Sequence, residues 1–234
     1  MRERTSTTAA RAAPRRTAVS VDVVLLTPHG KTLATLLRRI PDLRSRERWM
    51  LPWDGARTDE TLENAADRVA RDALGAAPTW LEQIGAFGDA RRHPGDADIT
   101  IAFVGLVAAG APAPVGGDEA WFPLAEIPAL PPRHKAVIDA AFEAVRLRLD
   151  QVPIAFRLLP PTFTLTDLQS IYEILLGRRL HKASFRRALQ SAWLVEPTDE
   201  WRSEGRGRPA QLYRYAPRKR RTSRRGVRFE LLGA

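Results

Sequence analysis

Phe163-Thr164-Leu165-Thr166-Asp167-Leu168-Gln169-Ser170-Ile171-Tyr172-Glu173 opens the stretch that decides the architecture, and Arg208-Pro209-Ala210-Gln211-Leu212-Tyr213-Arg214-Tyr215 closes it. Thr166 is a suitable helix N-cap, since its hydroxyl can accept an orphan N–H of the first turn. Asp167 adds negative charge where the helix dipole favours it. Leu168, Ile171, Tyr172, Leu175 and Leu176 then recur at i, i+3, i+4, i+7 and i+8, which predicts one apolar helix face. Gly177 supplies the left-handed C-cap.

A short connection, residues 178–183, leads to a second helix starting near Lys182 or Ser184. Its apolar face reads Phe185, Ala188, Leu189, Ala192 and Trp193, and its opposite face carries Lys182, Ser184, Arg186, Arg187 and Gln190. Two short helices, the second apolar inside and basic outside, meet the demands of a helix-turn-helix. The second helix packs on the first while long cationic and amide side chains reach phosphates and base edges. A hairpin follows, entering through residues 194–197 and leaving through 211–215, with Glu204-Gly205-Arg206-Gly207-Arg208-Pro209 at its tip. Arg206, Gly207 and Arg208 combine close backbone approach with charge for an anionic partner, as the wing of a winged helix does. The alternative is a small helical domain whose arginines form only a solvated face. The basic helix, the Arg-Gly-Arg tip and the local charge together favour double-stranded DNA.

The net charge of +10 is unevenly placed. Residues 155–234 carry 17 Lys and Arg against 7 Asp and Glu, and residues 1–18 carry 5 against 1. Residues 19–154 are slightly acidic, at 15 against 19. A near-neutral body with a basic carboxyl-terminal module points to sensing in one part and polyanion binding in the other. With no cysteine, disulfides, thiol catalysis and Cys-ligated zinc are excluded. The four histidines (His29, His93, His134, His181) show no metal-binding spacing. No run approaches ~18 consecutive apolar residues, so no transmembrane helix is expected. The Arg-rich start lacks the apolar core of a secretory signal and reads as a disordered basic tail, with a cytoplasmic location expected.

Between these basic ends the pattern alternates strand and helix. Residues 19–26 become continuously apolar, as in a strand entering a buried sheet. Residues 27–31 read as a turn and 32–39 as the returning strand. A helix is expected over 60–74 with Gly75 as its C-cap, strands over 81–87, 99–108 and 120–124, and a second long helix over 133–149. Gly105 looks like a weak point within its strand. These elements predict an α/β domain with a mixed sheet. The expected division is a basic tail 1–18, an α/β domain 19–150, a Pro-containing linker 151–162, the winged helix 163–216 and a basic tail 217–234. The second tail, with Arg218, Lys219, Arg220, Arg221, Arg224 and Arg225, reads as a sequence-independent phosphate binder.

The block from Trp49-Met50-Leu51-Pro52 to Gly75 resembles a Nudix box that has lost its chemistry. Taking Gly75 as the closing glycine sets Glu60 at the first glutamate and Arg68 at the arginine. Val69 then stands where the family has Glu, Asp72 and Ala73 stand at the metal-binding glutamate pair, and Trp53-Asp54 replaces a Gly-Gly turn. Nudix hydrolysis needs several carboxylates on one helix to hold Mg²⁺ and activate water. One Asp without the Glu pair does not meet that need. The combined pattern of this body with Phe185-Arg186-Arg187 and Gly207-Arg208-Pro209-Ala210-Gln211-Leu212-Tyr213 resembles the Nudix-related transcriptional regulator (NrtR) family over residues 19–216. Phe87-Gly88-Asp89, Arg92-His93-Pro94, Trp121-Phe122-Pro123-Leu124 and His134 look like further landmarks of that family.

The resemblance implies a Nudix-like α/β/α sandwich with a mixed sheet followed by a winged helix-turn-helix. It further implies a dimeric regulator, often a repressor, of genes such as those of NAD synthesis or sugar use, whose Nudix-like domain senses ADP-ribose or a related nucleotide or serves only dimerisation. On that reading Lys182, Ser184, Arg186, Arg187 and Gln190 read the major groove, and Arg206 and Arg208 contact the DNA from the wing. Arg38, Arg39 and Arg92 are the candidates for a diphosphate, against the alternative of ordinary surface arginines. No catalytic residue, cofactor or metal is assigned. Two rivals stay open. One is an active Nudix hydrolase whose metal site is rebuilt from Glu47, Glu60, Glu63, Asp67 and Asp72. The other is an RNA-binding or nucleoid protein that works mainly through its tails.

Overall fold

The computed structural model describes residues 17–40, 49–91, 93–110, 117–149, 151–203 and 209–216. The amino-terminal part is a sheet between two helices. Its strands are β1 (Val19–His29), β2 (Thr32–Arg39), β3 (Trp49–Met50) and β4 (Trp53–Gly55), then β5 (Trp80–Phe87), β6 (Ile99–Leu106) and β7 (Glu119–Pro123). The helices are α1 (Leu62–Leu74) and α2 (Pro132–Arg148). The order β3-β2-β1-β6-β5 puts β1 at the centre, parallel to β6 from Val19 opposite Ile99 to Leu26 opposite Leu106. β4 pairs with β1 and β7 with β2. The sheet is therefore mixed.

Strand alternation divides β1 between the two faces. Val21, Val23 and Leu25 meet Ala65, Ala66, Val69, Ala70 and Ala73 of α1 in one apolar cluster. Val24 and Leu26 join Val137, Ile138, Ala141 and Val145 of α2 in the other. Asp22 shares the parity of Val24 and Leu26, so the same alternation turns a carboxylate inward beneath α2. Gly105 is a packing feature rather than a weak point: a Cβ there would lie 2.8 Å from Leu25 Cδ2.

The carboxyl-terminal part holds β8 (Thr162–Phe163), α3 (Leu165–Leu176), α4 (Lys182–Ala192), β9 (Val195–Arg202) and β10 (Ala210–Tyr215), with sheet order β8-β10-β9. Two helices followed by this small antiparallel sheet make a winged helix. Residues 151–162 form a packed connection. A 3₁₀ turn, Ile154–Leu158, buries Ile154, Ala155, Phe156 and Leu158.

The structure corrects several local expectations. α3 begins at Leu165 with Thr164 as N-cap, not Thr166. The Thr164 hydroxyl accepts from Asp167 N–H at 3.1 Å, and the Asp167 carboxylate accepts from Thr164 N–H at 2.8 Å. This reciprocal capping box needs its acid three residues after the cap, which selects Thr164. β1 continues through Pro28 to His29, so the turn expected over 27–31 reduces to Gly30 and Lys31. α1 starts at Leu62, capped by Thr61, rather than at residue 60. Trp193 takes a left-handed conformation at the end of α4 and is 52% exposed, leaving the apolar face it was expected to complete.

Replacing Thr164 with alanine should destabilise the folded protein by about 1 kcal/mol in chemical denaturation, whereas Thr166→Ala should change it by less than about half that. Equal effects would refute the assignment of the cap.

Candidate nucleic-acid interface and ligand cleft

The helix-turn-helix is closed by side chains the motif already contained. Glu173 Oε1 accepts from Leu180 N–H at 2.8 Å and from Gln169 Nε2 at 2.9 Å, while Gln169 Nε2 also donates to Leu180 O at 2.9 Å. Both backbone groups of buried Leu180 are thus satisfied, and the chain turns sharply into α4. Phe185 and Leu189 are fully buried, with the Phe185 ring edge-on to Tyr172 at 5.7 Å. That packing leaves Lys182, Arg186, Arg187 and Gln190 exposed along α4, with no acidic residue in the helix. Ser184 is half-buried, its hydroxyl 3.3 Å from His181 Nδ1. The wing is tied to the same scaffold: Arg202 Nη2 donates to both carboxylate oxygens of Asp167, at 2.8 and 2.9 Å. Arg206, Gly207 and Arg208 lie outside the described residues.

On the Nudix-like part, Arg38 Nε donates to Glu119 at 2.9 Å. Arg39 is more exposed, 4.0 Å from Asp118 and 5.5 Å over the Trp49 ring. The two are consecutive on β2, so their side chains leave opposite faces of the strand. Arg92 lies outside the described residues. Arg38 and Arg39 therefore do not present their side chains to the same side of the sheet.

The carboxylates of the box are likewise engaged by arginines. Glu60 pairs with Arg68 at 2.6 Å and Asp54 with the same guanidinium at 2.5 Å, while Asp67 pairs with Arg71 at 2.6 Å. Hydrogen bonding to Arg68 holds the Glu60 carboxyl below its ordinary pKa despite partial desolvation. Glu63 and Asp72 are exposed, and Glu47 lies outside the described residues. Val69 and Ala73, at two glutamate positions of the box, are packed in the core beneath α1. Mg²⁺ needs several oxygen ligands, and these residues do not fit it.

The constellation missed in the sequence is Asp22, His93 and His134, all fully buried. Asp22 Oδ2 lies 3.1 Å from His134 Nε2 and 3.2 Å from His93 Nε2, close but poorly aligned contacts. The outer ring nitrogens decide what this cluster is. His134 Nδ1 accepts Leu51 N–H at 3.0 Å, and His93 Nδ1 accepts Gly95 N–H at 3.1 Å. An acceptor Nδ1 in a neutral imidazole leaves the proton on Nε2, where it faces the carboxylate. A metal on Nε2 would require the reverse, an Nδ1–H donating to an outer acceptor. The cluster is a carboxylate faced by two imidazole N–H groups within ion-pair distance, and its donors do not fit a metal ion. Burial alone would raise the Asp22 carboxyl, but His134 and His93 outweigh it and hold its pKa at about 2. Burial pushes His134 below its ordinary value.

Beside this cluster the loop between β5 and β6 borders an open cleft of about 670 Å³, lined by Gly88, Asp89, Arg91, Asp96, Asp98 and Arg133 among others. Arg133 is buried and donates to Ala97 O at 2.7 Å and Asp89 O at 2.9 Å.

A Nudix-type sandwich carrying a winged helix with a basic recognition face defines the class of DNA-binding regulators. Residues 16–142 match the NUDIX domain model and residues 155–215 match the NrtR DNA-binding winged helix domain. The chain is 30% identical over 205 residues to the ADPR responsive transcriptional repressor NtrR of Acinetobacter baylyi, covering 85% of this chain and 82% of that protein. It is similar to Shewanella oneidensis NrtR in complex with a 27mer DNA, with a TM-score of 0.73 and 30% identity over 85% of this chain and 94% of that one. The structure of Shewanella NrtR without DNA gives a TM-score of 0.74 at 30% identity, covering 90% and 98% of the two chains. This chain belongs to the NrtR family of Nudix-domain winged-helix regulators. Among the described residues no helix is long and apolar enough to cross a membrane.

Both buried groups make stability fall with acid. A depressed His134 resists the proton that the unfolded chain takes up near 6.5, so stability declines as pH drops below that value. A depressed Asp22 contributes stability that is full above 3.8 and lost as pH approaches 2. Denaturant midpoints should therefore fall between about pH 7.5 and 5. His134→Asn, which keeps an acceptor for Leu51 N–H, should flatten that slope. An unchanged slope in the variant would refute the role of His134.

Proposed function

We propose that this protein is a transcriptional repressor whose Nudix domain senses a nucleotide of the ADP-ribose type and releases DNA when it binds. One observation carries the DNA half: α4 is anchored by buried Phe185 and Leu189 and presents an exposed face of Lys182, Arg186, Arg187 and Gln190 with no acid in the helix. Such a face can meet phosphates and read base edges in the major groove. On this reading Ser184 makes a shorter contact, and Arg206, Gly207 and Arg208, which lie outside the described residues, contact the DNA from the wing. The similar Acinetobacter protein is named as an ADPR-responsive repressor, which supports the effector class.

Residues 19–150 then serve as the sensor and 163–216 as the DNA-binding head. Two such heads on a palindromic operator require a homodimer. The chain acts in the cytoplasm, with the DNA, and does not hydrolyse its effector. Val69 and Ala73 support that statement, because they put core packing where hydrolysis needs carboxylates. Arg39 and Arg92 remain the diphosphate candidates, with Arg38 available only if Glu119 releases it.

The test is fluorescence anisotropy with the DNA upstream of the protein's own gene and a scrambled control at ~150 mM salt. Tight binding to the first alone, reversed by ADP-ribose, is expected. Arg186→Ala or Arg187→Ala should each cost about 1–3 kcal/mol where the side chain meets a base, and should relax specificity there. Equal binding to scrambled DNA would overturn the regulator reading. Mg²⁺-dependent release of AMP from ADP-ribose would overturn the claim that the domain does not hydrolyse it.

A further inference from the structure

The described residues of the loop between β5 and β6, 88–91 and 93–98, are held from three sides. From below, His93 reaches Asp22 on β1. From α2, Arg133 holds the carbonyls of Asp89 and Ala97, and the next residue, His134, meets the same Asp22 oxygen. From β4, Trp53 packs edge-on against His93 with ring centroids 4.6 Å apart. The indole also fills the space over Gly95, where a Cβ would lie 2.0 Å from the ring. The loop cannot move without pulling on the first turn of α2 or displacing Trp53.

The other end of α2 joins the apolar core that continues into the DNA-binding head. Val145 and Leu149 belong to one continuous apolar cluster with Phe156, Phe163, Leu168 and Tyr172. Seventeen helical residues span ~25 Å, so α2 joins the cleft loop to α3 as a single stiff element. Coupling between sites needs such an element with two arrangements, both of which the ligands can bias.

We propose that the Asp22–His93–His134 cluster is the joint through which a ligand in the adjoining cleft acts on the winged helix, with Asp22 as the positioning residue. A nucleoside diphosphate of the ADP-ribose type that shifts the cleft loop pulls on His134 and Arg133. α2 then carries the shift to α3, and the recognition helix moves relative to DNA. The inference rests on the effector reading above and adds the site and route of its action.

The full-length protein serves for the test, with calorimetry reporting ADP-ribose binding and anisotropy reporting affinity for the promoter fragment with and without ADP-ribose. In the wild type ADP-ribose should weaken DNA binding by ~5–150-fold. Asp22→Asn preserves shape but removes the charge that holds both imidazoles. In this variant ADP-ribose should still bind within about threefold of wild type, DNA affinity alone should change by less than about twofold, and the weakening by ADP-ribose should fall below about twofold. His93→Asn keeps an acceptor for Gly95 N–H but cannot reach Asp22; because His93 also lines the cleft, it is scored at saturating ADP-ribose only, where the weakening of DNA binding should fall below about twofold even if Asp22→Asn fails to fold. His93→Gln restores a donor toward Asp22 and should recover the wild-type response. Full response in Asp22→Asn or His93→Asn, or no recovery in His93→Gln, overturns the joint. Wild-type protein that binds ADP-ribose yet keeps its DNA affinity overturns the joint as well. Absence of any calorimetric binding to wild type overturns the effector reading itself, and the joint with it.

Discussion

A carboxylate buried on the central strand of a sheet carries a desolvation cost of several kcal/mol unless its surroundings supply hydrogen bonds and countercharge. Asp22 obtains them from a long way off in sequence. His93 comes from the loop between β5 and β6, and His134 from the first turn of α2. Each of these groups must be in place before Asp22 can stay ionised in the core. The same requirement therefore fixes the height of the loop, the azimuth of α2 and, through Leu51 N–H on His134, the path of the chain between β3 and β4. An apolar residue at position 22 would fill the space and fix none of these.

The box helix shows the opposite exchange. Where the Nudix pattern has carboxylates, α1 presents Val69 and Ala73 to the sheet, converting positions that would hold charge into packing. Glu63 and Asp72 stay exposed, and the carboxylates nearest the box turn are neutralised internally. Arg68 bridges Glu60 and Asp54, and Arg57 stands 3.7 Å from Asp54. Such partly exposed ion pairs contribute little to stability. Their consequence is local: Glu60 and Asp54 face a guanidinium that already occupies their lone pairs, and a divalent cation would have to displace it.

Periodicity made the architecture legible because nearly every strand and helix buries one face against another. The spacing of Leu168, Ile171, Tyr172 and Leu175 places α3, and the alternation in 19–26 places β1. Chemistry that depends on long-range meeting was not legible in the same way. His93 and His134 have no local spacing, so as a pair of ligands they read as scattered. The available signal was Asp22 itself, a charge inside an otherwise apolar strand whose parity points it into the core. The missed cap has a simpler cause. Thr164 and Thr166 are equally good acceptors, and the choice depends on Asp167 standing three residues after Thr164, where the usual box has Glu or Gln. Trp193 misled because helical periodicity continues past a left-handed cap that sequence spacing does not reveal.

The two domains share one apolar core rather than meeting across a polar seam, and this bears on how such a regulator can work. Leu158 and Leu159 of the connection are buried, and Leu158 O accepts Ala109 N–H at 2.9 Å, while Arg157 O accepts the Thr79 hydroxyl at 2.6 Å. A head on a flexible tether would search for DNA independently of the sensor, and ligand binding would change only its local concentration. A head packed into the sensor's own core cannot rotate without repacking residues such as Val145, Leu149 and Phe156. Close-packed interiors have few alternative arrangements, so they switch between states instead of deforming smoothly. A small displacement at the foot of α2 is then either absorbed entirely or expressed as a change in the pose of the recognition helix. That is the behaviour an operator-binding protein needs if a weakly differentiated metabolite is to control it.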